Sequence, residues 1–232
     1  KSKRFPIITT TSMSLKSFQT KIQKQAAAIL DTATLTKLET ALTEKFSTGC
    51  PEGAPDQENG PLLECLKLSR EAVTQAISDL GVLEQYITLL VPQMEDGNNF
   101  GVTIQLAVLK QLKETAESLE KDLGTVPTYC KERADVMDKF LGSSSESVKE
   151  ETNDEGTKKT TTKEQSTKSN GAESHRKEAV LAIDIQYYTV AKNTMQKVMT
   201  AYLSIIDFVV KNKDKIEMPK GSSGGSGYSS MY

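Results

Sequence analysis

Few residues in this chain combine a reactive side chain with neighbours that could put it to work. His175 is the single histidine. No Ser or Cys nucleophile stands in a recognisable motif with it and no ligand-like partner lies nearby, so it reads as a solvated bystander. Cys50, Cys65 and Cys130 are odd in number and unevenly spaced. That pattern fits neither a disulfide framework nor a CxxC metal site, and it reads as free thiols in a reducing compartment. Glu114, Glu117, Glu120 and Asp122 alternate with lysines in the manner of an exposed helical face. No Walker-type or GxGxxG phosphate loop is present, so nothing supports use of ATP. The expectation is a protein that is not an enzyme and that holds no cofactor and no metal.

Asp96-Gly97-Asn98-Asn99 is the one short string with several possible chemistries. A β-hairpin turn fails because helical periodicity flanks it. Counted as a calcium loop from Asp96, Asn98 fits the third position and Gly101 the sixth. Phe100 then holds the fifth position, and Ala107 the twelfth, where a bidentate Glu is needed. On composition alone an ordinary helix-helix turn remains: Gly97 tolerates positive φ, and Asp and Asn side chains bond to nearby backbone.

The elements around that string are helical. The 232 residues are 26% charged and 37% hydrophobic, with no Trp, which suits one domain of long helices cored by Leu, Ile, Val and Ala. A net charge of -2 and the lack of aromatics interleaved with basic residues argue against nucleic acid. No stretch reaches the roughly 18 apolar residues of a membrane span. With the unpaired cysteines, this points to an intracellular protein, cytoplasmic and/or nuclear.

Apolar residues recurring every three or four positions predict four helices, at about 14–47, 62–91, 102–141 and 176–213. Pro92 should stop the second by forcing Val91 out of helical geometry, and Pro127 should kink the third. Residues 142–174 offer only Val148 and Ala172 as apolar side chains. They are expected to be a disordered insert. Residues 1–13 form an N-terminal extension, 14–221 the bundle, and the Gly/Ser-rich 222–232 a flexible tail. The fold class is all-α, an up-down-up-down four-helix bundle. In that topology the connector between helices two and three shares one pole with the C-terminus, while the other two connectors lie opposite.

Particular strings add a resemblance to this reading. EDGNNFGV, Glu95 to Val102, followed by Gln105, resembles the loop and helix start of the 11S proteasome activators, the PA28/REG family. Tyr129-Cys130-Lys131-Glu132-Arg133-Ala134-Asp135 is similar to a stretch those activators carry at the same distance from the loop. Ala201-Tyr202, Asp207, Lys211-Asn212, Lys215 and Pro219-Lys220-Gly221 look like family positions in register, and Ser230-Met231-Tyr232 looks like the end of one family subunit.

The resemblance implies a homo-oligomer, a heptameric ring that caps the α-subunit ring of the 20S proteasome without ATP. Glu95, Asp96, Gly97, Asn98, Asn99, Phe100 and Gly101 would form the activating loop that presses on the proteasome gate. Tyr228, Ser229, Ser230, Met231 and Tyr232 would be the tail that inserts between α subunits. The alternative is a helical adaptor or scaffold whose loop is merely a turn and which leaves peptidase activity unchanged.

Overall fold

The structure, a computed structural model, describes residues 14–93, 100–142 and 170–220; the side chains of 139–142 and 170–173 are left aside. Among these residues all regular structure is helical. The helices are α1 (Leu15–Ile29), α2 (Ala33–Phe46), α3 (Gly60–Leu90), α4 (Phe100–Glu120), α5 (Thr125–Gly142), α6 (Asn170–Lys211) and α7 (Lys213–Glu217). A 3₁₀ turn, Lys121–Gly124, joins α4 to α5. Paired end to end, α1 with α2 and α4 with α5, they build the four pillars of an all-α bundle.

The first pillar departs from the single helix expected over 14–47, because it breaks at residues 30–32 between α1 and α2. Its buried positions explain the break. Ile22, Ala26 and Ile29 face the core from α1, and Leu38 and Phe46 from α2. Nine residues separate Ile29 from Leu38, which an unbroken helix of about 3.6 residues per turn would place on opposite faces. A break resets the phase. Asp31 supports it locally, its Oδ1 accepting the Thr32 amide at 2.7 Å, a bond that competes with helical pairing.

α3 is the central pillar, packed against α1, α4 and α6. Leu62, Leu66, Val73, Leu80, Leu83 and Ile87 are all nearly inaccessible along it, and each such side chain is worth about 1.5–3 kcal/mol of burial. The helix opens on Asn59, whose Oδ1 accepts the Leu62 amide at 3.2 Å. It stops where Pro92 dictates: Val91 is extended, at φ -65 and ψ 117.

In the third pillar the discontinuity falls at Lys121–Gly124, just ahead of Pro127, rather than at Pro127 itself. Pro127 thereby occupies the first turn of α5, where a missing amide hydrogen costs nothing. The turn is braced from α6, where Lys197 Nζ donates to the Ser118 carbonyl and to Asp122 Oδ2, both at 2.7 Å. The last pillar begins earlier than the expected residue 176, at Asn170, and ends at Lys211. Of the insert expected over 142–174, residues 143–169 lie outside the described residues, and 170–174 already belong to α6.

Two buried polar clusters mark the two poles. At one pole Asp184 of α6 is held by α5 and by Asn59 at the head of α3. Its Oδ1 accepts from Arg133 Nε at 2.9 Å and from the Tyr129 hydroxyl at 3.0 Å, and its Oδ2 accepts from Asn59 Nδ2 at 3.0 Å. Arg133 and Asp184 side chains are only 7% and 3% exposed. Arg133 Nη2 also donates to the Ala54 carbonyl at 3.4 Å, which fastens the α2–α3 connector to the bundle end. A charge this deeply enclosed is tolerable only when paired and hydrogen-bonded, and Asp184 is both.

Candidate partner-docking site at the loop pole

The opposite pole gathers the end of α3, the start of α4 and the short α7. Three features make α7 fold back there. Asn212 leaves helical geometry at φ -111 and ψ 15, and its Nδ2 donates to the Phe208 carbonyl at 2.9 Å. Ile216, 1% exposed, is driven into the core. Tyr86 of α3 then donates its hydroxyl proton to Glu217 Oε1 at 3.2 Å. Burial first, and the Glu217 anion second, push the Tyr86 phenol up to about 12, so it stays a donor throughout the physiological range.

Gln105 of α4 sits at the centre of this pole with no exposed surface. Its Nε2 donates to the Leu90 carbonyl at 3.1 Å and to the Ile216 carbonyl at 2.7 Å. Both acceptors belong to the last turns of helices, whose carbonyls lack intrahelical partners. One side-chain amide thus caps the C-terminal turns of both α3 and α7.

Gly101 makes the second contact between the α4 start and the chain end. A Cβ built there would overlap the Pro219 carbonyl oxygen and Cα and would stand 2.7 Å from its carbonyl carbon. Gly101 is not among the positive-φ glycines, so the requirement is close approach rather than an unusual backbone. Next to it Phe100 projects, 59% exposed, with Lys215 Nζ 5.9 Å from its ring centroid, near the limit of a cation–π contact.

Of the expected loop residues, Phe100 and Gly101 are therefore the first residues of α4. Glu95, Asp96, Gly97, Asn98 and Asn99 lie outside the described residues, as do the expected tail residues Tyr228, Ser229, Ser230, Met231 and Tyr232. The described chain reaches the loop through Gln93 and leaves the bundle through Pro219 and Lys220, and Gly101 touches Pro219 directly. Gln105 appeared in the sequence only as part of a resembling string. Tyr86 and Glu217 had no role in the sequence reading, and α7 entered it only through Lys215 in a resembling string. Their only signals were Asn212 directly after a helical run and Pro219 as a stop.

His175 is exposed. Burial pushes the Cys50 and Cys65 thiols up, away from the nucleophilic thiolate, with the Asp184 charge adding to the effect at Cys50. Glu114, Glu117 and Glu120 are exposed, and Glu114 pairs with Lys110 at 3.7 Å in the open. Among the described residues no three His, Cys, Asp or Glu side chains converge on a metal-sized site, and no helix is long and apolar enough to cross a membrane.

Comparison with known proteins agrees with the geometry. The family model "Proteasome activator PA28, C-terminal" matches residues 56–150 and 142–226. Proteasome activator complex subunit 3 of Homo sapiens and that of Gallus gallus are each 22% identical over 167 residues, which cover 72% of this chain. The match spans 55% of those curated relatives, about half their length. Among solved structures, the 11S subunit PA28 of the Plasmodium falciparum proteasome superposes with a TM-score of 0.61 at 22% identity, covering 88% of this chain and 89% of that one. The PA26 complex of an archaebacterial 20S proteasome gives a TM-score of 0.63 at 15% identity, covering 92% and 99%. The helical bundle and a family-model match across most of the sequence agree: the chain belongs to the PA28 family of proteasome activators.

Proposed function

We propose that this chain is a non-enzymatic, ATP-independent activator of the 20S proteasome. It acts as a homo-oligomeric ring, a heptamer by family resemblance, seated on the proteasome's α-subunit ring inside the cell. Residues Tyr228 to Tyr232 dock between α subunits, and Glu95 to Gly101 bear on the gate. The observation that carries this reading is the joining of the loop base to the chain end, through Gly101 against Pro219 and Gln105 across Leu90 and Ile216.

That joining matters because docking and gate opening are separate tasks. Several weak tails on one ring bind together through effective concentration, and a terminal carboxylate can pair with a lysine in a pocket. The gate opens only if the loop favours the open arrangement, since equal affinity for both states shifts nothing. A loop whose base is bonded to the tail's root is held in a fixed place relative to the docked tails.

The test is hydrolysis of a fluorogenic peptide by purified 20S proteasome, without ATP, as the ring is added, alongside negative-stain imaging of the ring. Stimulation that saturates with ring concentration supports the proposal. Co-sedimentation without stimulation would identify a scaffold instead.

A further inference from the structure

We infer that Gln105 is the positioning residue of this activator: it locks the end of α3, the start of α4 and α7 into one platform. The inference deepens the proposed function and rests on it for the consequence at the proteasome, but the lock itself is a property of this chain alone.

Three observations carry it. First, Gln105 is fully buried, where a Leu or Met would fill the space at lower desolvation cost. Second, its orientation is fixed by chemistry. Both neighbouring acceptors are carbonyl oxygens, so Nε2 must face them; the flipped amide would set oxygen against oxygen. Third, Oε1 is buried and has no hydrogen-bond partner among the described residues. An acceptor desolvated without return is unusual in a native interior, and here it accompanies the placement of both Nε2 hydrogens.

What the donors hold together includes one element that cannot stand alone. α7 has only five residues, too few to be stable as an isolated helix. Its anchors are Ile216 in the core, Glu217 on Tyr86, and the Ile216 carbonyl on Gln105. The last ties it to α3 and α4 at once. The bond joins residues 111 positions apart, so the loop base and the root of the tail share one side chain. Because the apolar anchors survive its loss, a Gln105 variant should still fold, with the platform loosened locally.

Gln105→Met keeps the length and removes both donors; Gln105→Glu keeps the shape and turns acceptors toward the carbonyls. Hydrogen exchange on the assembled full chain is the direct reading. In both variants amide protection should fall about tenfold or more in 88–93 and in 213–219 together, while 59–69 and 180–191 at the Asp184 pole stay unchanged. Loosening of only one of the two segments, or a uniform loss through the bundle, overturns the lock.

With 20S proteasome and fluorogenic peptide, the variants should lower maximal stimulation about fivefold or more while the half-maximal ring concentration moves less than about twofold. A parallel change in both, or in neither, overturns the positioning role. If the unsubstituted ring itself gives no stimulation, the proposed function fails, and the exchange pattern alone decides for or against the lock.

Discussion

Replacing Gly101 by Ala probes the meeting of loop base and chain end with a single methyl group. In a helix the change is ordinarily favourable, by about 0.8–1.0 kcal/mol. Here the new Cβ would overlap Pro219 backbone atoms and stand 2.7 Å from its carbonyl carbon. Backbone cannot swing aside as a flexible side chain can. Relief requires Pro219, and the α7 end with it, to shift, and such overpacking costs about 1–3 kcal/mol. The net effect therefore runs from near neutral to about 2 kcal/mol of destabilisation. Gly81 supplies the control: it lies inside α3 with nothing within 4 Å of the corresponding Cβ, so Gly81→Ala should realise the whole helix gain. By thermal unfolding, at about 2–4 °C per kcal/mol for a chain of this size, Gly101→Ala should melt several degrees below Gly81→Ala. It should also lower stimulated peptide hydrolysis, because the displaced segment is the root of the tail. Equal melting of the two variants, with stimulation intact, would refute the close approach and the coupling built on it.

Other perturbations separate the two poles. Asp184→Asn leaves the buried Arg133 guanidinium without its counter-charge and should cost about 3–5 kcal/mol in urea unfolding; a loss below about 1 kcal/mol would show that the pair is solvated. Alkaline pH should also destabilise the bundle. Burial, followed by the Glu217 charge, raises the Tyr86 phenol to about 12, and burial with Asp184 or Asp79 raises Tyr129 and Tyr202 as well. The unfolded chain releases these protons near pH 10 while the folded chain keeps them, so their contribution is complete below about pH 10 and lost above it. Unfolding midpoints that stay constant from pH 9 to about pH 11 would contradict this sign. In the proposed ring, Asn98→Tyr should abolish stimulation with binding nearly intact, whereas deleting residues 230–232 should weaken co-sedimentation first. The reverse pattern would exchange the roles of loop and tail.

Much of this was written in local sequence. Pro92 sets the end of α3, and of the helical stripe Leu66, Val73, Ile77, Leu80, Ile87 and Val91, the structure buries Leu66, Val73, Leu80 and Ile87 and leaves Ile77 and Val91 half-buried. The break at residues 30–32 was implicit in the nine-residue interval between Ile29 and Leu38, but a stripe read by eye passes over a change of phase. Pro127 signalled a discontinuity in the third pillar without locating it, because a proline is equally content in a helix's first turn and the chain exploits that. Gln105 and Glu217 were opaque for another reason. A glutamine in a helical pattern reads as surface, and only the arrival of Leu90 and Ile216 from distant parts of the chain gives it acceptors. Tyr129 and Arg133, quoted for their resemblance, are placed by the structure in the buried cluster around Asp184, so part of that string serves the scaffold.

The division between poles has an energetic consequence for the proposed gate opening. To move a two-state partner from 1:99 to 99:1, the activator must favour the open state by about 5.5 kcal/mol, which seven copies would share at under 1 kcal/mol each. That share is smaller than the cost of leaving one buried carbonyl unpaired, about 1–3 kcal/mol. A loop base held by Gln105 would therefore sooner transmit such a load than break its own bonds, and a base without those bonds would yield first. At the far pole the Asp184 cluster does the corresponding work of fixing the α2–α3 connector, Asn59 and α5 against α6. It does so at the other end of α3, whose 31 residues span about 46 Å. Damage there should reach the proteasome only through global stability. Gln105→Met and Asp184→Asn should thus be separable in one experiment: the first loses stimulation at temperatures where the bundle is fully folded, the second only as it melts.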